Sequence, residues 1–250
     1  MRSEMALEVR NLNKSFGSVV AARNINLEFA AGEVVSIIGA NGAGKTTFIN
    51  MVTGYIKPDA GSVRLFGVDI TGWPPRRVVR AGLGRSFQIA QLFAGLTIWE
   101  NIMTAAVLGD HRHGGLFSRA ARPELEERCR GLLYKLGLSS LTHALPENLA
   151  GGTRKLLDIV MAVVSRPKLL LLDEPTSGVS EQEKIALMEK VLQAVEGQQM
   201  TTIVVEHDME IVRHFSQRVL AFVAGEVVAD GTPDEVFSHS SVQEAITGRL

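Results

Sequence analysis

The chain of 250 residues carries 26 Lys and Arg against 27 Asp and Glu, a formal charge of −1. That balance gives no support to a partner such as nucleic acid, which a basic chain would wrap. A hydrophobic fraction of 46% and a charged fraction of 21% exclude a disordered chain, and the single cysteine, Cys129, excludes an internal disulfide and suits a reducing cytosol.

Residues 1–5 (MRSEM) include an acid and lead into alternating Leu7, Val9 and Leu12, with no apolar core of signal-peptide length. Ala6–Val9, Ile25–Phe29 and Gly32–Ile38 read as short strands, broken by Phe16-Gly17-Ser18 and Ala31-Gly32. Thr46–Val52 reads as a helix closed at Gly54, and Gly61–Leu65 as another strand. From about Leu96 to Val164 the pattern turns helical, with Leu125, Cys129, Leu132, Leu133 and Leu136 forming one stripe. Within it, residues 109–122 (GDHRHGGLFSRAAR) are polar and aperiodic, and are expected to be an exposed insertion whose His111 and His113 are solvated. Leu169–Asp173 and Thr202–Glu206 read as strands around the helix-like Glu181–Val195, and Val219–Asp230 as a hairpin turning at Ala224-Gly225. The densest apolar run, Leu169–Leu172, lies between Lys168 and Asp173 and falls far short of the ~20 residues that span a bilayer. Strands alternating with helices argue an α/β fold with a mainly parallel sheet, interrupted by a helical block.

Two segments carry chemistry. Gly39-Ala40-Asn41-Gly42-Ala43-Gly44-Lys45-Thr46 fits G-x-x-x-x-G-K-[ST] in full, after a strand and before a helix. Its glycines let backbone N–H groups converge on one anion at the positive end of the helix dipole. Lys45 can then reach the β- and γ-phosphates of a nucleotide, and the Thr46 hydroxyl can ligate Mg²⁺. Leu169–Leu172 then Asp173-Glu174 put two carboxylates at the end of a buried strand, where open α/β sheets bind ligands. Asp173 is placed to hold Mg²⁺ through water, and Glu174 to polarise the attacking water as general base. Together the segments bind and hydrolyse a nucleotide.

Further segments fall in an order that resembles the ATP-binding subunit of ABC transporters, over residues 6 to 237. Phe16 resembles the adenine-stacking aromatic, and Gln88, in Arg85-Ser86-Phe87-Gln88, the glutamine that contacts Mg²⁺ or the lytic water. Leu149-Ala150-Gly151-Gly152-Thr153 stands where the family has its LSGGQ signature, and His207, in Val205-Glu206-His207-Asp208, where it has the switch histidine. The resemblance implies a P-loop NTPase of ABC type, with a RecA-like parallel-sheet core, an N-terminal antiparallel β subdomain and an α-helical subdomain. It implies that the core and β subdomain occupy about residues 1–90 and 166–250, and the helical subdomain about 91–165. It also implies ATP contacts from Phe16, Gly39, Asn41, Gly42, Gly44, Lys45, Thr46 and Thr47, and from Ala150, Gly151 and Gly152 across a head-to-tail pair of ATPases. Thr46, Gln88 and Asp173 would hold Mg²⁺, with Glu174, His207 and Gln88 at the chemistry.

Within the superfamily the segments Leu65–Gly72, Arg80–Phe87, Leu92-Phe93 and Leu96–Asn101 resemble the G-type subunit of branched-chain amino acid importers, with urea and short-chain amide importers next. That resemblance implies a bacterial importer. Its parts are two membrane permeases, a second ABC ATPase and, indirectly, a periplasmic solute-binding protein, with this chain peripheral on the cytoplasmic face of the inner membrane. The rival class is a soluble ABC ATPase without a transport role, but neither a long coiled-coil insertion nor a tandem ATPase unit is present. A regulatory module that barely hydrolyses is argued against by intact Lys45, Asp173, Glu174 and His207.

Two departures stand out. Ala150 replaces the signature serine, and Ser180 stands in Ser177-Gly178-Val179-Ser180 where the common version has Asp. The chain therefore reads as a complete catalytic half-site that lends its partner a weakened signature. Restoring the hydroxyl with Ala150→Ser is expected to favour closure by about 1.5–3 kcal/mol and to raise phosphate release by the assembled complex. Unchanged ATPase would refute the weakened-signature reading.

Overall fold

In the computed structural model, residues 4–88, 90–109, 123–195 and 200–247 are described. Strands β1 (Met5–Phe16) and β2 (Val19–Ala30) form an antiparallel hairpin of 12 residues each, far longer than the apolar stretches within them suggest. Alternation explains the pairing: Leu7, Val9, Ile25, Leu27 and Phe29 are buried, whereas Arg10, Glu28 and Arg23 face outward. After β3 (Val34–Ile38) and α1 (Lys45–Val52), the strands β4 (Ala60–Leu65) and β5 (Val68–Asp69) complete a four-stranded sheet in the order β2-β1-β4-β5.

A short helix α2 (Pro75–Arg80) leads to β6 (Leu83–Ser86), a strand that the sequence pattern does not announce. Gly84 explains both facts. It weakens the β signal, yet an added Cβ would lie 2.8 Å from Pro167 Cγ, so the strand needs glycine to pack. The helical block holds α3 (Ile98–Gly109), α4 (Pro123–Lys135) and α5 (Gly151–Val164), with 3₁₀ turns at Ser139–Leu141 and Pro146–Asn148. Of the stripe on α4, Leu125, Cys129 and Leu133 are buried, as is Leu136 just beyond it, while Leu132 is half-buried. Residues 110–122, and with them His111 and His113, lie outside the described residues.

The chain then alternates: β7 (Leu169–Asp173), α6 (Glu181–Val195), β8 (Thr201–Val205), α7 (Met209–Phe215), β9 (Arg218–Val223), β10 (Glu226–Gly231), α8 (Pro233–Ser238) and α9 (Ser240–Thr247). The second sheet has the order β10-β9-β3-β8-β7-β6, parallel except for the β9–β10 hairpin. That hairpin turns at Ala224 and Gly225, both at positive φ (48° and 83°), the geometry of a type I′ turn.

Strands buried on both faces read as continuous apolar runs, and β7 shows why. Leu169 and Leu171 join a core with β1, β2 and α1, whereas Leu170 and Leu172 join a second core with α3, α5 and α6. Phe48 of α1 packs on Phe222 of β9 with ring centroids 5.4 Å apart, fastening the helix to the sheet. No helix among the described residues is long and apolar enough to cross a membrane. Phe48→Ala removes a fully buried ring and is expected to cost about 3–5 kcal/mol, measurable as a lowered urea midpoint of unfolding.

Candidate functional site

Parallel strands end in the same direction, so the turns after β3, β8, β7 and β6 lie side by side along the carboxyl edge of the sheet. Gly39–Gly44 forms the turn after β3. Gly39 and Gly44 take φ of 151° and 100°, and a Cβ would lie 2.4 Å from the Phe222 carbonyl oxygen or 2.3 Å from that of Ala21. Only glycine allows the loop to curl this tightly against β9 and β2. Helix α1 follows with no side-chain cap and no acid in its first turn, an N-terminus suited to an anion. The Lys45 ammonium lies across the loop, donating to the carbonyls of Gly39 (2.7 Å) and Ala40 (3.0 Å). Burial holds its pKa below the usual lysine range, opposed by the charges of Glu174 and Asp173. Thr46 is exposed and Thr47 half-buried beside it, and Asn41 and Gly42 are exposed at the tip of the loop.

Asp173 ends β7, and Glu174 follows in a left-handed backbone conformation (φ 48°). A non-glycine residue there costs about 1–2 kcal/mol, and the surrounding bonds hold it. The Glu174 N–H donates to Val205 O at 2.9 Å, and its carbonyl accepts from Ser177 N at 3.1 Å. Its carboxylate bridges two elements: Gln88 Nε2 donates to Oε2 at 2.6 Å, and His207 Nε2 pairs with Oε1. Thus Gln88 after β6, Glu174 after β7 and His207 after β8 converge in one cluster. Asp173 Oδ2 accepts from Arg85 Nη2 at 2.7 Å.

Several supporting side chains escape sequence reasoning. Glu206, 3% exposed, accepts from Thr176 N (3.0 Å), Thr176 Oγ1 (2.6 Å) and His207 N (3.1 Å), locking the loop after β7 to the loop after β8. Lys155 of α5 donates to the carbonyls of Phe87 (2.7 Å) and Gln88 (2.9 Å), and Asp158, one turn on, accepts from Phe87 N (3.1 Å) and Gln91 N (2.9 Å). Burial pushes the Lys155 pKa down and the Asp158 pKa up. The sequence carries a faint signal: Lys155 and Asp158 stand i, i+3 on a largely apolar helix, and Glu206 follows the apolar end of β8 (Ile203–Val205). Lys184 of α6 reaches Asp208 at 2.7 Å, and its hydrogen bonds to Asp208 and Glu181 push its pKa up to about 12.

The other expected residues lie apart from this cluster. Phe16 is 49% exposed at the end of β1, with Lys14 Nζ 5.4 Å from its ring. Ala150 and Gly151 are exposed at the start of α5, where Ala150 is an N-cap without a side-chain hydrogen bond. Gly152 lies beneath Val179, whose Cγ1 a Cβ there would approach to 3.7 Å. The Ser180 hydroxyl donates to Glu183 Oε2 at 2.6 Å, in the first turn of the helix that follows it.

A family model described as ABC transporter matches residues 22–177. The high-affinity branched-chain amino acid transport ATP-binding protein LivG of Escherichia coli K12 is 34% identical over 256 residues, covering 98% of this chain and 99% of LivG. Among solved structures, the ADP conformation of MJ1267, an ATP-binding cassette of an ABC transporter, superposes with a TM-score of 0.84 at 27% identity, covering 98% of this chain and 99% of that one. A dimeric post-hydrolysis state of the ATP-binding cassette MJ0796, bound to ADP and Pi, does so with 0.78 at 25% identity, covering 91% and 98%.

Glu206→Gln places an amide against the His207 N–H while keeping an acceptor for Thr176. It is expected to lower the unfolding free energy by about 1–3 kcal/mol, measured by urea denaturation. An unchanged midpoint would remove Glu206 from the set of loop-locking residues.

Proposed function

The chain belongs to the ABC transporter family, and we propose that it is the ATP-hydrolysing subunit of an importer for branched-chain amino acids. The observation that carries the chemistry is the Glu174 carboxylate, held between Gln88 and His207 beside the Lys45 loop. The amino acid cargo rests on the likeness to LivG over nearly the whole of both chains.

In this reading the Gly39–Gly44 loop and the first turn of α1 bind the ATP phosphates. Lys45 then exchanges its two carbonyl acceptors for phosphate oxygens, which stabilises a buried ammonium better than neutral carbonyls do. Phe16, exposed on the hairpin, offers a face for the adenine. Glu174 takes the proton of the attacking water as its oxygen bonds to the γ-phosphorus and the bond to ADP breaks. His207 orients that carboxylate and reaches toward the γ-phosphate, and Gln88 holds the water from the other side.

The donor set fits Mg²⁺. Thr46 hydroxyl, Gln88 carbonyl and Asp173 carboxylate are all hard oxygens, and no cluster of three or more His, Cys, Asp or Glu that could hold a metal exists among the described residues. A cation there must complete its shell with water and phosphate, as Mg²⁺ does, and it would supply charge neutralisation of the phosphates.

Ala150, Gly151 and Gly152 would face the ATP of a second ATPase subunit, joined head to tail as in the family, and the exposure of Ala150 and Gly151 supports that role. Two permease subunits would hold the pair at the inner membrane, and a periplasmic binding protein would deliver the cargo. Depleting this chain is expected to abolish uptake of labelled leucine, isoleucine and valine, and undiminished uptake would refute the cargo. Glu174→Gln is expected to lower phosphate release by about 10²–10⁴-fold while ATP still binds and holds the ATPase pair closed, seen as an ATP-dependent dimer in light scattering. Normal turnover would overturn the role of Glu174.

A further inference from the structure

The formal charge of −1 hides a local excess. Residues 54–88 hold six cations, Lys57, Arg64, Arg76, Arg77, Arg80 and Arg85, against two carboxylates, Asp59 and Asp69. Both carboxylates are engaged, Asp59 by Lys14 Nζ (2.6 Å) and Ser15 N (2.8 Å), and Asp69 by Thr71 N (2.9 Å). Arg85 is committed to Asp173. The remaining charge gathers on α2, where Arg76, Arg77 and Arg80 are exposed and, among the described residues, have no carboxylate partner.

Helix geometry sets their direction. Val78 is the buried residue of α2, and with about 3.6 residues per turn Arg76 and Arg80 stand opposite it, four apart. Like charges at that spacing repel along the helix, so the fold gains nothing from them. Val79, 47% exposed, flanks the pair on one side. On the other side the Arg77 guanidinium lies over the Trp73 ring, its Cζ 3.5 Å from the centroid. Lys57 is exposed beside Gly72, where an added Cβ would lie 3.4 Å from its Cγ.

ATP is not the anion that explains this patch. Gly54, just past α1, packs on Trp73, where an added Cβ would lie 2.2 Å from the carbonyl oxygen. The patch thus adjoins the carboxyl end of α1, whereas the phosphate loop meets its amino end, eight residues or about 12 Å away. Screening at physiological salt acts over about 8 Å. A peptide asks for a groove that fixes its backbone, but α2 presents an outward turn of helix. Arginines beside a tryptophan and an exposed valine suit a bilayer surface, with phosphate oxygens for the guanidinium groups and the headgroup zone for the indole.

We propose that Arg76, Arg77 and Arg80, with Trp73, form a contact for anionic phospholipid headgroups, so that this subunit touches the bilayer directly and not only through permeases. The contact is independent of the nucleotide chemistry and of the cargo. A six-residue helix is too short to insert, so the contact is electrostatic and reversible.

The test is cosedimentation of the full-length chain, at low salt, with vesicles of equal parts phosphatidylglycerol and phosphatidylcholine, or of phosphatidylcholine alone. Binding is expected to the anionic vesicles only, and to fall as salt is raised. The double variant Arg76→Gln with Arg80→Gln is expected to lower the partition coefficient by about 30-fold, about fivefold for each arginine. Its ATP affinity and urea midpoint are expected to match wild type, which shows that it is folded. Lys135→Gln with Lys190→Gln removes the same charge from exposed positions on α4 and α6 and is expected to change binding by less than twofold. Equal binding to both vesicle types, or an equal loss in both double variants, would overturn the inference. No binding to either vesicle would overturn it too. If the arginine variant then failed to copurify with permeases, the patch would belong to an acidic protein segment.

Discussion

Everything at the site depends on β7 being buried on both faces. Leu169 to Leu172 divide between two cores, and so the first charge of the strand emerges only where the sheet ends. Burial there is what makes a carboxylate expensive to leave alone and strongly directed once paired. Asp173 is met by a guanidinium, and Glu174 is turned by a left-handed backbone toward Gln88 and His207. A strand buried on one face only would let water satisfy both carboxylates and would fix neither.

The same logic joins the helical block to the sheet. Lys155 and Asp158 lie one turn apart on α5 and grip the main chain of the Gln88 loop from both sides, carbonyls by the ammonium and N–H groups by the carboxylate. Helix α5 begins at Gly151, so the exposed segment at its start and the loop that carries Gln88 belong to one hydrogen-bonded body. Glu206 does the corresponding work between the loops after β7 and β8. None of these groups needs to contact ATP to decide where the groups that do are found.

The phosphate loop, β7 and the closing hairpin were legible in the sequence, because each is set by local rules. Glycine spacing, an apolar run ending in acid, and a turn that needs positive φ all act within a few residues. Less legible were the length of β1 and β2, which is set by pairing across a hairpin, and β6, whose Gly84 speaks against a strand until Pro167 is seen above it. Gln88 and His207 had meaning only through their order along a family pattern, and the fold brings both to Glu174. Arg85 carries no sequence signal, and the charges of Lys155, Asp158 and Glu206 stand out on apolar elements without revealing what they bind. Their partners are main-chain atoms or side chains many residues distant, and no periodicity records such pairs. Ser180 shows the opposite case. A position marked as a departure has its hydroxyl engaged by Glu183, in the helix that begins one residue later.

The backbone at Glu174 has a further consequence. With φ at 48° and its N–H and carbonyl both bonded, the Cα of this residue cannot slide to suit a different side chain. Reach must therefore come from side-chain length alone. An amide of the same length keeps the triangle with Gln88 and His207, whereas aspartate would fall a methylene short with no backbone motion to recover it. Position 174 thus discriminates by geometry before it discriminates by charge.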